Sequence, residues 1–200
     1  MSVEKINWIS VIERVLRNER PAVTELIQAA QTPLFTFCFH LCKNKQLAED
    51  LTHDALLKSL SSLSQLQNQE SYLPWAKKIA RHLFLDYLKA SENSKVHLQF
   101  DELPESADFT QDPISVEQIH ASRTLQLLDE EDRTLLILID IQEMSYEDAA
   151  VTLDHPIGTI KSKLSRARDK FSVLYNDNGT KSLADSSIRQ ELELKKKISN

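Results

Sequence analysis

The segment Ile157-Gly-Thr-Ile-Lys-Ser-Lys-Leu-Ser-Arg-Ala-Arg168 places cations and short polar groups at a spacing that suits nucleic acid. On an ideal helix, at about 100° per residue, Ile160, Leu164, Ala167 and Phe171 form one apolar stripe. The opposite pole is Ser162, Ser165 and Arg166, with Lys161 and Arg168 on one flank and Lys163 and Lys170 on the other. Short polar groups at the pole can meet base edges in a major groove while the flanking cations meet the two phosphate strands. The same spacing also fits an exposed amphipathic helix in a bundle, and composition leaves both open.

A second basic helix is expected over 71–91. Tyr72, Ala76, Ile79, Ala80, Leu83 and Tyr87 point inward, and the other face carries Lys77, Lys78, Arg81, Leu85, Leu88 and Lys89, with His82 and Trp75 near its edge. Cations interleaved with apolar and aromatic groups can follow a separated strand, charges on phosphates and rings against bases. A core Trp75 and a solvated coat of lysines would give the same composition. A third helix, 46–63, carries Asp50, Asp54, Leu57, Lys58 and Ser61 on its polar face; a leucine among acids can anchor a protein partner, and an ordinary surface leucine would look the same. Cys38 and Cys42, with His40 between them, lie in the most apolar stretch, beside Phe35, Phe37, Phe39 and Leu41. Core packing is the expectation there, with no metal site and no cofactor.

These groups need an all-α frame. Apolar residues recur at helical spacing almost throughout, and no run alternates as a strand does. Helices are expected at about 3–17, 21–43 with a break near Pro33, 46–63, 71–91, 114–128, 129–142, 146–153, 157–174 and 182–198. Two glycines in 200 residues exclude glycine-loop nucleotide sites and hairpin-rich β folds. The apolar run at Leu135 to Ile141 is far below membrane-spanning length, and Glu4 and Lys5 spoil a signal peptide, so a cytoplasmic protein is expected. Ser145 can cap one helix and Pro156 open the next, which makes 145–168 a helix-turn-helix.

The net charge of −6 is uneven. Residues 75–96 and 161–175 are basic islands, whereas 97–122 holds Asp101, Glu102, Glu105, Asp108, Asp112 and Glu117 with no Lys or Arg before 123, and 123–160 is acidic too. Two places that touch phosphate are thus joined by a stretch that would avoid phosphate or imitate it. The organisation expected is two small helical domains, 1–93 and 114–175, the second with the helix-turn-helix, joined by an acidic linker at 94–113. A C-terminal extension follows at 176–200, either helical or disordered.

In this order, Ala48-Glu-Asp-Leu-Thr-His-Asp-Ala-Leu-Leu-Lys58, Trp75-Ala-Lys-Lys-Ile-Ala-Arg-His-Leu-Phe-Leu-Asp-Tyr-Leu-Lys89 and Asp129 through Arg168 resemble the sigma-70 family, specifically its small extracytoplasmic-function sigma factors. The resemblance implies a non-enzymatic subunit that binds core RNA polymerase and directs promoter recognition and transcription initiation. By position it implies that Asp50, Leu51, Asp54 and Leu57 contact core polymerase. Asn68, Gln69, Trp75, Lys77, Lys78, Arg81, His82, Asp86 and Lys89 would serve the −10 element and melting, and Thr159, Lys161, Ser162, Lys163, Ser165, Arg166 and Arg168 the −35 element. Promoter DNA and an anti-sigma factor are the further partners implied. Asp154 stands where the family's turn usually has glycine, and His82 replaces a commoner asparagine. Two rivals use the same residues: an autonomous helix-turn-helix regulator, and a sigma-like decoy that captures an anti-sigma factor.

Overall fold

The structure, a computed structural model, describes residues 6–94 and 115–198, with side chains to 91 and from 117 to 177 beside Ser115. The order is α1 (Trp8–Leu16), α2 (Arg20–Cys42), α3 (Lys45–Ser61), α4 (Tyr72–Ser94), α5 (Val116–Leu127), α6 (Glu130–Leu136), α7 (Tyr146–Leu153) and α8 (Ile157–Ile198). No strand occurs among the described residues. The acidic linker expected at 94–113 lies outside them, apart from Ser94 at the end of α4.

Capping chemistry sets the helix ends. Asn7, Asn44, Ser115, Asp129 and Ser145 each accept a backbone N–H of the following turn through the side-chain oxygen, which satisfies donors that the helix leaves open. Lys43 and Asp154 end α2 and α7 in the left-handed region, at φ 49 and 59. Asp is among the residues that tolerate this conformation without glycine's freedom. The expected break at Pro33 is corrected: α2 runs unbroken past it. Ala30 and Leu34 are fully buried on either side, and that packing outweighs the lost backbone donor. Likewise α8 continues to Ile198 without stopping near 174 and restarting at 182.

α1 to α4 pack around Phe37, Tyr72 and Phe84, all buried. Trp8 lies against Tyr72 at 5.0 Å between ring centroids, and the Tyr72 hydroxyl pairs with Ser59 Oγ at 3.0 Å. α5 to α8 close around Leu135, Ile137, Leu138, Leu153, Ile160, Leu164 and Ala167. The expected α8 stripe therefore faces inward. Between α6 and α7 the chain widens into one π turn, Ile137–Ile141, in which Gln142 N–H donates to Ile137 O at 3.0 Å. Buried side chains of both helical groups belong to one continuous cluster, so the two halves sit against each other.

Candidate nucleic-acid interface

The recognition pole of α8 stands as the periodicity predicts. Ser162, Ser165 and Arg166 are exposed, and Thr159 is half-buried behind them. Ser162 Oγ donates to Thr159 O at 3.0 Å, and Arg166 Nε donates to Ser162 O at 3.3 Å. The Lys161 ammonium lies 5.7 Å from the Tyr146 ring centroid, within cation–π reach. The remaining cations are tied to acids of the same domain. Lys163 donates to Glu131 Oε2 at 2.6 Å, and His155 Nε2 meets the other oxygen of that carboxylate. Glu131 thus fastens the turn to the recognition helix, and the Lys163 hydrogen bond holds its carboxyl below the usual range. Arg168 grips Asp140 with two N–H groups, one at 3.1 Å, and Lys170 bridges Asp129 and Asp132. Pairing with Asp140 raises the Arg168 guanidinium further.

On α3, Asp50, Asp54 and Lys58 are exposed and Leu57 is 54% exposed, one continuous face. Leu51 is not on it: at 5% exposure it belongs to the core. Its place is a correction with a simple cause, since it shares the inward stripe of Ala48 and Ala55, both fully buried.

The α4 face departs most from expectation. Lys77 is not a solvated cation but 3% exposed, donating to Gln142 Oε1 at 2.5 Å and lying 5.8 Å from the Phe37 ring. Burial pushes its ammonium down to about 8. Lys78 pairs with Asp154 at 2.9 Å. Arg81 makes a bidentate pair with Glu130, at 2.8 and 2.6 Å, and Thr134 Oγ1 donates to the same carboxylate at 2.7 Å. Trp75 is half-buried, 6.2 Å from Tyr72 between ring centroids, and packs against the core. His82, Asp86 and Lys89 remain exposed, the last two 3.8 Å apart. In the preceding loop, Asn68 Oδ1 accepts from Glu70 N–H and its amide donates to Ser71 Oγ at 3.0 Å, while Gln69 is half-buried.

Both basic helices are thus presented by one all-helical scaffold, and each is matched by a known family. The model of sigma-70 region 2 matches residues 26–93, which include α3 and most of α4, and that of sigma-70 region 4 matches 121–171, which include the helix-turn-helix. The chain belongs to the sigma-70 family, in its extracytoplasmic-function branch. It is 29% identical over 182 residues to the ECF RNA polymerase sigma factor EcfG of Rhodopseudomonas palustris, covering 82% of this chain and 91% of that one. It is 25% identical to the RNA polymerase sigma factor YlaC of Bacillus subtilis, over 74% of this chain and 89% of that one. Among solved structures it is similar to the sigma factor RpoE in complex with the anti-sigma factor NepR from Bartonella quintana, with TM-score 0.63, 25% identity and coverage of 76% and 96% of the two chains. CnrH in complex with the cytosolic domain of CnrY shares the fold, with TM-score 0.62, 17% identity and coverage of 84% and 96%.

Composition left several residues of this sigma factor unread. Glu130, Gln142, Thr152 and Asp154 come from the C-terminal half and engage α2 or α4: Thr152 Oγ1 donates to Pro74 O at 3.1 Å, and Gln142 Nε2 to Pro33 O at 3.5 Å. Gln126 Nε2 also donates to His40 O, at 3.3 Å. One signal was available, the acidic stretch 123–160 that avoids or imitates phosphate. Lys77 also falls seven residues before Phe84, on the same helical stripe as a core residue. Among the described residues no cluster of three His, Cys, Asp or Glu could hold a metal, and no helix is long and apolar enough to cross a membrane.

Proposed function

We propose that the division of labour follows the three faces. The exposed α8 pole, Ser162, Ser165 and Arg166 with Lys161 beside it, reads the −35 element. The outer face of α4, with the loop before it, handles the −10 element, and the α3 face of Asp50, Asp54 and Leu57 docks on core RNA polymerase. The chain is a non-catalytic specificity subunit that directs transcription initiation from the cytoplasm, with an anti-sigma factor as a regulatory partner. The observation that carries this reading is the pairing of an exposed polar recognition pole with a second basic helix in the order of regions 2 and 4. It also weighs against a decoy, which has no need of an open DNA-facing pole.

Run-off transcription with purified core polymerase on a genomic promoter library tests it. Promoter-dependent transcripts that need this chain are expected. Their absence, with core enzyme active alongside another sigma factor, would defeat the reading.

A further inference from the structure

Arg168 has Asp140 for a partner and Lys170 has both Asp129 and Asp132, whereas the Glu131 carboxylate is divided between two basic side chains. Its Oε2 takes the Lys163 ammonium at 2.6 Å, and its Oε1 meets His155 Nε2. Glu131 stands on α6, His155 closes the turn before α8, and Lys163 follows Ser162 on α8 itself. One acid therefore fixes the start of the helix that carries the Ser162–Ser165–Arg166 pole. Water reaches all three side chains, which are 35%, 30% and 24% exposed for Glu131, His155 and Lys163. The ring of His155 also acts on its neighbour Asp154, which pairs with Lys78 at 2.9 Å and lies within the field of His82 on α4. Glu131 and Asp154 thus favour a positive charge on this ring, and Lys163, Lys78 and His82 oppose it.

We propose that −35 recognition is coupled to protonation of His155, through transfer of Lys163 from Glu131 to a DNA phosphate. This rests on the reading of α8 as the helix that meets the −35 element. With the ring neutral, Nε2 carries the hydrogen that is donated to Glu131, and the ammonium of Lys163 supplies the charge that balances the carboxylate. Moving Lys163 to DNA then leaves a carboxylate unbalanced in the negative field of the duplex. A proton taken from water at Nδ1 changes this, because the imidazolium holds Glu131 by a charge-assisted bond and Lys163 is released to meet a phosphate. Affinity for the element rises as pH falls, and by linkage the bound DNA strengthens the hold of His155 on its proton. Histidine suits this exchange because it is the side chain whose charge ordinarily changes between about pH 5 and 8.

The test uses holoenzyme assembled from core polymerase and the full chain, with a fluorescent duplex promoter recovered by run-off transcription. Affinity is measured at about pH 6 and about pH 8, each over a range of salt. Wild type is expected to gain about fivefold on acidification beyond any gain of His155→Gln, whose amide can donate to Glu131 but takes no charge. Its slope of log affinity against log salt should steepen by about 0.9 on acidification, one further phosphate, and Lys163→Met should lose that increment. Glu131→Gln, nearly isosteric, should bind more tightly than wild type at pH 8 and gain no more than His155→Gln on acidification, since Lys163 is released at either pH. It carries the test if His155→Gln does not assemble. The same pH profile in wild type and either variant would overturn the coupling, and so would a Glu131→Gln protein weaker than wild type at both pH values, the result of a merely structural tie. Arg166→Ala separates the two readings: full affinity in that variant would overturn the reading of α8 itself, whereas weakened binding alongside equal pH profiles would overturn only the exchange at Glu131.

Discussion

Replacing Lys77 with methionine should make the protein more stable at neutral pH, although it removes a hydrogen bond. Lys77 is 3% exposed, and burial brings its ammonium from 10.5 down to about 8. Below pH 8 the folded chain therefore carries a charge that the unfolded chain keeps in water. At 1.36 kcal/mol per pH unit, the difference between 10.5 and about 8 makes the charged form costly by about 3 kcal/mol. Methionine has a similar length and no charge, so that cost disappears. Against it stands the bond to Gln142 Oε1, whose half-buried amide is left to water, at about 1 kcal/mol. The net gain at pH 7 is about 2 kcal/mol.

The sign of the pH dependence follows from which state holds the proton. Between pH 8 and 10.5 the folded state releases it while the unfolded state retains it, so stability rises with pH and the penalty fades. At pH 10 the remaining penalty is about 0.7 kcal/mol, and the advantage of Lys77→Met should fall to near zero. The raised Cys38 thiol and Tyr72 phenol, both at about 12, oppose stability in alkali; Tyr72 is the same in both proteins and cancels in the difference, whereas Cys38 loses the nearby Lys77 charge in the variant, which lowers the variant's advantage at high pH a little further. Urea unfolding of wild type and variant at pH 7 and pH 10 measures it. A variant less stable than wild type at pH 7, or a difference that is the same at both pH values, would refute the desolvation argument.

Acid should act through His40, which burial lowers to about 4 from 6.5. The unfolded chain binds that proton first as pH falls, so stability is lost between pH 6.5 and 4 by up to about 3 kcal/mol, and denaturant titrations of His40→Gln should show a flatter profile over that range. Gly158→Ala should stabilise by about 0.5–1 kcal/mol, since an added Cβ meets nothing within 4 Å in the first turn of α8; a lower melting temperature would count against an unstrained helical site there. Arg166→Ala should weaken −35-dependent initiation with unchanged melting temperature. Lys163→Ala should in addition lower stability by about 0.5–1 kcal/mol, because it releases Glu131; equal stability of the two variants, read by thermal melting, would show that the Glu131 tie is inconsequential.

Local rules were enough for much of the molecule. The apolar stripe of α8, its Ser162–Ser165–Arg166 pole, the Ser145 cap and the left-handed Asp154 all follow from periodicity and the conformational habits of single residues, because such features are decided within one or two helical turns. The exposed acids and Leu57 of α3 are legible for the same reason. Leu51 shares the stripe of Ala48 and Ala55, and that spacing sets it inward whatever its place in the motif. Pro33 departs from local expectation because Ala30 and Leu34 are held by other helices, which no window around the proline contains.

What the chain alone could determine was the inventory: an all-helical scaffold, two basic helices and an acidic stretch able to avoid phosphate or imitate it. Which cations stay free was decided by the fold. Lys77, Lys78 and Arg81 read as a solvated, strand-facing row, yet each meets a partner 49 to 76 positions away, namely Gln142, Asp154 and Glu130. An ion pair depends on distance in space, and nothing in the spacing of α4 records that α6, α7 and the π turn would be packed across it. Only that packing turns a row of charges into a surface that is covered.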